Sequence, residues 1–445
     1  MKSVAGRILA AVAMSTALAV SASAQSADTS TAYPRSSQRT MAQEIAKDTK
    51  YIYINGDRYE REPSDSVKSL VEQFYSDQYR QFYDPHAPYF MFLTKNADMA
   101  LGIGGRVILR GWGDWNGSQD SYEFFPYDIA VPSNPTERKA IGASPSQSAI
   151  FLTLLGRNER LGHYMVSVKG GVKNRNFVLK DAFIRLNDWT VGYASTTFSD
   201  DDALAPTVDA QGPNGQVSKS AMLVRYFHDF KGGWSVAGGV EFPSSDQTQI
   251  EGETEKCRDF VPDVVGLAQY QWDGGDSHVR ASGIFRLMTY RDLLTARNRN
   301  VVGWGAQLSG RWQMLHPLAL YYQGVVGRGI GSYCGDLSEG SYDLVPDEGR
   351  HGTLKAPLSL GLTAGLQYDF SKKVFACLAL GECRYFDSRA EGSAYKYGLY
   401  GAVNVFWDIT PRIQGGAEYI IGKRKNFDGA SATSDRIDLL ISFSF

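Results

Sequence analysis

From Met99 to Phe445 the chain repeats one pattern, a segment of about ten residues in which apolar and small or polar side chains alternate. Val302, Trp304, Ala306, Leu308 and Trp312 alternate with Gly303, Gly305, Gln307, Ser309 and Arg311. Leu358, Leu360, Leu362, Ala364, Leu366, Tyr368 and Phe370 alternate with Ser359, Gly361, Thr363, Gly365, Gln367 and Asp369. Ile413, Gly415, Ala417, Tyr419 and Ile421 do the same against Arg412, Gln414, Gly416, Glu418 and Gly422. A period of two gives each strand one apolar and one wet face. About sixteen such segments can be counted, an even number, as a single-chain transmembrane barrel requires. The links between them fall into two classes. Those after even-numbered segments are short, near Glu159, Asn187, Phe230, Gly274, His316, Lys372 and Pro411. Those after odd-numbered segments include all the long ones, at 113–147, 197–218, 243–262 and 330–354. A soluble sandwich has no reason to segregate loop lengths in this way. A transmembrane antiparallel β-barrel does, with turns on one side of the membrane and loops on the other. Aromatic residues at segment ends (Tyr270 with Trp272, Trp312, Tyr368 with Phe370, Trp407) suit the girdles at the two membrane surfaces. The expected fold is therefore all-β.

The beginning of the chain fits export. Lys2 and Arg7 precede an apolar run from Ile8 to Val20, too short to span a bilayer, and Ala22-Ser23-Ala24 is a small-residue cleavage site. Residues 1–24 are thus expected to be a signal peptide, and no later run of about 18 apolar residues predicts a transmembrane helix. The formal net charge is −2, falling to about −4 once Lys2 and Arg7 are removed. A near-neutral chain of this kind is not expected to bind nucleic acid. The four cysteines, Cys257, Cys334, Cys377 and Cys383, are too few for a disulfide scaffold. Cys377 and Cys383 lie about 20 Å apart along one strand and cannot bridge, whereas Cys257 and Cys334 fall in loops and are free to pair.

Residues 25–95 form a separate N-terminal segment, expected on the periplasmic side. It begins Ser/Thr/Ala/Gln-rich and flexible, then reads as a short strand from Tyr51 and a helix over about 64–83. Val67, Leu70, Val71, Phe74 and Tyr75 share one helical face. A helix that short cannot bury its face alone, so it must pack on the barrel mouth, on a neighbouring subunit or in a coiled coil, unless it is a simple tether. The barrel occupies 96–445.

The loop at 197–218 is the third on the long-loop side, and its wording is specific. Val191-Gly192 and Ser195-Thr196-Thr197-Phe198 lead into Asp200, Asp202-Ala203-Leu204, Pro206-Thr207-Val208-Asp209 and Gly212-Pro213-Asn214-Gly215. Val224-Arg225-Tyr226 follows, and Leu179-Lys180-Asp181-Ala182-Phe183 precedes. This stretch, about 178–243, resembles the DcaP-like trimeric porin family, and the alternating C-terminal strand ending in Phe445 is similar to the recognition signal of outer-membrane barrels. The chain departs from the family pattern at Tyr193, Ser195, Asp181, Ala221 and Leu223. The resemblance implies a homotrimer in the cell outer membrane, in contact with membrane lipid and lipopolysaccharide. It implies passive diffusion of small hydrophilic solutes, anionic (dicarboxylate-like) or neutral, through a water-filled pore narrowed by the inward-folded third loop.

A pore selects by width and by charge at its narrowest point. The acidic candidates are Asp200, Asp201, Asp202 and Asp209, with Asp181 on the preceding strand. The basic candidates are Lys219, Arg225, Arg280, Arg286, Arg311 and either Lys180 or Arg185. Arg280 and Arg286 lie opposite Val279, Ala281, Gly283, Phe285 and Leu287, which points them inward, because an Arg facing lipid at mid-membrane costs ~2–4 kcal/mol. Lys180 and Arg185 have opposite parity, so at most one of them should face the lumen. Glu382 and Arg384 share a face with Leu378 and Leu380, which suits a subunit interface. These Arg–Asp sets can either meet solute or pin the loop to the wall. No metal-binding spacing, His-Glu-x-x-His or Gly-x-Ser-x-Gly motif occurs. Neither a cofactor nor an enzyme activity is expected, and the alternatives are a closed barrel acting as adhesin or anchor and, further off, a barrel enzyme.

Overall fold

The computed structural model describes residues 50–53, 90–94, 99–119, 121–158, 160, 162–347, 349–387 and 392–445. The expected signal peptide and the helix over 64–83 lie outside the described residues. Sixteen strands make the wall: β1 Met99–Trp115, β2 Ala149–Asn158, β3 Gly162–Lys173, β4 Asn176–Leu186, β5 Trp189–Ser195, β6 Ser220–Asp229, β7 Trp234–Glu241, β8 Asp263–Trp272, β9 Ser277–Asp292, β10 Arg297–Leu315, β11 Leu318–Arg328, β12 Leu358–Asp369, β13 Val374–Phe386, β14 Tyr395–Thr410, β15 Ile413–Asn426 and β16 Ser431–Ser444. Each pairs antiparallel with the next. The barrel closes where β16 pairs with β1, Phe443 opposite Val107 and Asp435 opposite Trp115. Phe445 completes the seam, exchanging backbone hydrogen bonds of 2.7 and 2.8 Å with Gly105. Closure removes the exposed edge that an open sheet would present.

Strand positions and loop segregation agree with the alternation. The four long loops are L1 (116–148), L3 (196–219), L4 (242–262) and L6 (329–357), all at one end. Within L1, Lys139–Ser144 returns to pair with the upper half of β1 and extends the wall. At the other end Phe90–Leu93 pairs antiparallel with Ala100–Ile103 of β1, and Lys50–Tyr53 lies parallel to it, at the position of the expected short strand.

The outer face carries the apolar set. Val302, Trp304 and Leu308 are 51, 42 and 54% exposed, while their neighbours Gln307, Ser309 and Arg311 are buried. A belt of this extent would be an aggregation surface in water and is what a lipid face demands. Rings cluster at the short-turn end, with Trp189–Tyr226 and Trp234–Tyr270 each 5.0 Å between centroids and Tyr270–Trp272 5.9 Å apart.

Two details differ from simple alternation. Opposite Lys169 and Gly170 the register shifts, Lys169 facing Asp181 and Gly170 facing Leu179. The bulge resets parity inside β4. Leu179 and Ile184 both point outward, 55 and 56% exposed, which leaves Lys180 on the inner face with Asp181, Phe183 and Arg185. The expectation that only one of Lys180 and Arg185 could face inward is therefore corrected. On β13, Glu382 and Arg384 point outward and neutralise each other at 2.6 Å, with the guanidinium 4.7 Å from the Tyr397 ring. All four cysteines are free thiols.

The core of the molecule lies inside the barrel. Phe198 and Val217 of L3 and Ile330, Tyr333, Cys334 and Leu337 of L6 pack as one buried cluster with inward-facing Val265, Ile284, Val325 and Cys383. Phe124 and Ile129 of L1 form a second cluster with Tyr400, Ala402 and Ile420.

Candidate functional site

L3 is held to the inner wall along its length. Its outgoing limb starts at a turn in which Ser199 N donates to Thr196 O. Glu241 of β7 accepts from Thr196 Oγ1 and Thr197 N, both at 2.7 Å. Arg280 Nη1 donates to Ser199 O at 2.7 Å and Ser282 Oγ to Phe198 O at 3.2 Å. Asp200 is fully buried, its Oδ2 2.9 Å from His278 Nε2 and 2.6 Å from Ser309 Oγ. Burial alone would raise its pKa, but Arg280 and His278 outweigh burial and hold the carboxyl well below the usual carboxylate range.

The loop then reaches β14, β15 and β1. Asn404 Nδ2 donates to Pro206 O at 2.9 Å. Glu418 accepts from Val208 N and Asp209 N at 3.1 and 2.8 Å, and Arg110 Nε donates to Val208 O at 2.7 Å. Asp209 accepts from Phe124 N of L1 and Gly212 N of its own turn at 3.0 and 2.9 Å. Burial raises its pKa despite Arg436 and Arg110. On the returning limb Gly215 packs on the backbone of Leu362 and Glu382, so closely that a Cβ would strike their carbonyl oxygens. Asn214 Nδ2 donates to Asp336 Oδ2 at 2.6 Å, and Val217 N to Gln323 Oε1 at 2.7 Å.

L6 and L4 complete the packing. Arg286 Nε donates to Asp263 Oδ2 at 3.0 Å, and its Nη1 and Nη2 donate to Gly329 O and Ser244 O, both at 2.6 Å. Its Nη1 also pairs with Asp343 at 3.1 Å. Tyr333 lies between two cations, Lys219 Nζ 4.3 Å and Arg286 Cζ 5.0 Å from its ring centroid. Residues of L6 carry much of this assembly and were not among the sequence candidates. A signal was present: Ile330, Tyr333, Leu337, Leu344 and Val345 are too apolar for a loop exposed to water on all sides.

The candidates thus fall into two groups. Asp200, Asp209, Arg280, Arg286 and Arg311 are 0–3% exposed and bond to protein atoms. Arg311 donates to Tyr321 Oη, Asp276 O and Gln313 Oε1 at 3.2, 2.7 and 2.9 Å. Arg225 and Arg185 are nearly as buried, and Arg225 Nη1 reaches Ser195 O at 3.2 Å. Lys219 bonds Ser332 Oγ at 2.8 Å. The second group has access to the lumen. Asp201 is exposed with its Oδ2 2.9 Å from Ser195 Oγ, and Asp202 is half-buried 3.8 Å from His278 Nδ1. Asp181, Lys180 and Lys169 are half-buried on the β3–β4 wall. No group of three or more metal-ligating side chains occurs among the described residues.

Asp336 of L6 gives a pH dependence. It accepts from Tyr127 N, Asn214 Nδ2 and Tyr395 Oη at 3.2, 2.6 and 2.7 Å. Burial, aided by Asp128, still pushes its pKa from 3.8 up to about 7. A carboxyl raised in the folded state holds a proton that the unfolded chain has released, so stability falls as pH rises through that window. Urea midpoints of the wild-type barrel are expected to rise between pH 8 and pH 5, and the rise should shrink in Asp336→Asn. An identical rise in the variant would place the titration elsewhere.

Neither a family model nor a curated relative matches the sequence. Solved structures do. The outer-membrane channel DcaP of Acinetobacter baumannii aligns over 80% of this chain and 99% of its own, with a TM-score of 0.67 at 18% identity. The fold is that of the outer-membrane porins. An anion-selective porin from Comamonas acidovorans aligns over 78% of this chain and 100% of its own, at 9% identity and TM-score 0.51. OmpT, an outer-membrane protein of Vibrio cholerae, aligns over 78 and 98% at 10% identity and TM-score 0.50. This porin fold and the lipid-compatible belt agree in making the chain a membrane-spanning barrel.

Proposed function

We propose that the protein is a passive channel for small hydrophilic anions, its pore narrowed by L3, and that it works as a homotrimer with the N-terminal segment on the periplasmic side. One observation carries the charge preference. The bulge in β4 brings Lys180 to the inner wall beside Asp181 and Lys169, where water and solute can reach them. The buried cations Arg280 and Arg286 support this reading indirectly, because they hold L3 and L6 in place and so set the width left beside them. Asp201 and Asp202 bring acidic charge from the loop, and charges of opposite sign around a narrow aqueous gap give a transverse field. The solved likenesses to DcaP and to an anion-selective porin agree in kind.

Planar-bilayer recordings test the proposal. Purified protein should give discrete open-channel currents with reversal potentials on the anion side. The double variant Lys169→Glu with Lys180→Glu should move them toward cations. Absence of current would favour the closed-lumen anchor, for which the interlocked L1, L3 and L6 would be the cause. Unchanged reversal potentials would remove the lysines from the selectivity zone. Native mass of the detergent-extracted protein checks the trimer.

A further inference from the structure

Cys334 lies in L6 and Cys383 faces inward on β13, both fully buried in the same apolar cluster. Backbone contacts fix the two positions from both sides. Val217 and Cys334 form an isolated antiparallel bridge. Gly335 N donates to Gln216 O at 3.0 Å, and Asp336 N to Asn214 O at 3.1 Å. Residues 214 and 215 in turn rest on Gly381 and the Glu382 carbonyl of the wall. Tyr395 clamps the arrangement, its Oη bonding Cys383 O at 2.9 Å and Asp336 Oδ2 at 2.7 Å. These contacts seat Cys334 and Cys383 in one buried cluster, on the two sides of the seam between L6 and the wall, an arrangement that the spacing of the cysteines in the sequence did not suggest.

We propose that Cys334 and Cys383 are a cross-link site, oxidised in the mature protein to a disulfide that staples L6 to the barrel wall. The cell envelope outside the cytoplasm is oxidising, and thiols brought together there form disulfides. The oxidant is a disulfide donor, R–S–S–R. One cysteine thiolate attacks a donor sulfur and expels a first thiolate. The second cysteine attacks the mixed disulfide and expels the other. Two electrons pass to the donor, which leaves as two R–SH with the two protons that the cysteines gave up. Both sulfurs are shut off from water once L6 is seated, so exchange takes place before the loop closes, and the finished bond is shielded from reductants. The staple holds whether or not the barrel conducts.

Thiol counting on the purified full-length protein tests this. Unfolded in denaturant with excess maleimide and no reductant, the wild type should take up two labels, on Cys257 and Cys377, and digestion should give a peptide joining Cys334 to Cys383. Four labels, or a peptide joining Cys334 to Cys257, would overturn the proposal. Urea unfolding adds a second readout. Dithiothreitol should lower the midpoint of the wild type and leave the Cys334→Ser/Cys383→Ser variant unmoved. An equal response of both proteins would count against the staple.

Discussion

Arg286→Met is expected to destabilise the folded protein by about 3–5 kcal/mol, the range for removing one partner from a buried ion pair. Arg286 is 1% exposed, and its three nitrogens bond Asp263, Asp343, Gly329 O and Ser244 O. Met fills most of the volume but leaves two carboxylates, 2 and 0% exposed, without their main countercharge. Ser332 N and Asp246 N still donate to Asp343 at 2.9 and 3.0 Å, so part of its charge is accommodated. The loss should show in the urea midpoint of the folded barrel, and a triple variant adding Asp263→Asn and Asp343→Asn should recover part of it. A loss under about 1 kcal/mol would mean that the pair behaves as a solvated surface bridge. The same geometry bears on charge reversal: Arg286→Glu would place a third carboxylate in that cluster, so a change in ion preference there would follow from displaced loops.

Gly215→Ala should release the returning limb of L3 while the barrel still forms. Gly215 sits against the backbone of Leu362 and Glu382 across β12 and β13, and strand backbone cannot move aside as a flexible side chain can. Overpacking of this kind costs ~1–3 kcal/mol, all of it concentrated on the loop–wall seam. Asn214 would then be drawn away from Asp336, and Val217 from Gln323, which lie one residue before and two residues after. The expected result is a larger and noisier single-channel conductance with unchanged gel mobility of the folded form. Wild-type conductance would show that L3 does not set the pore width.

The barrel was legible because lipid on one face and water on the other impose a period of two on every strand. Val302 to Trp312 announces its two faces without reference to any other part of the chain. L3 was legible by its position and wording. What the candidate residues do was less so. Arg280 and Asp200 are 78 or more positions from some of the atoms that bury them, and parity alone points a side chain inward without saying whether water or a loop will meet it. Lys180 shows a limit of a different kind, since one inserted residue at a bulge reverses the face of all that follows. L6 was missed because its apolar residues follow no period; they pack against L3 and the wall.

The alternating sequence by itself determined a membrane barrel, its strand count and the end that carries the long loops, since each follows from local hydrophobicity and link length. Only the tertiary structure decided which charges are sealed and which face the lumen. That depends on where three separate loops meet, and a buried charge is defined by neighbours that the chain brings from far away.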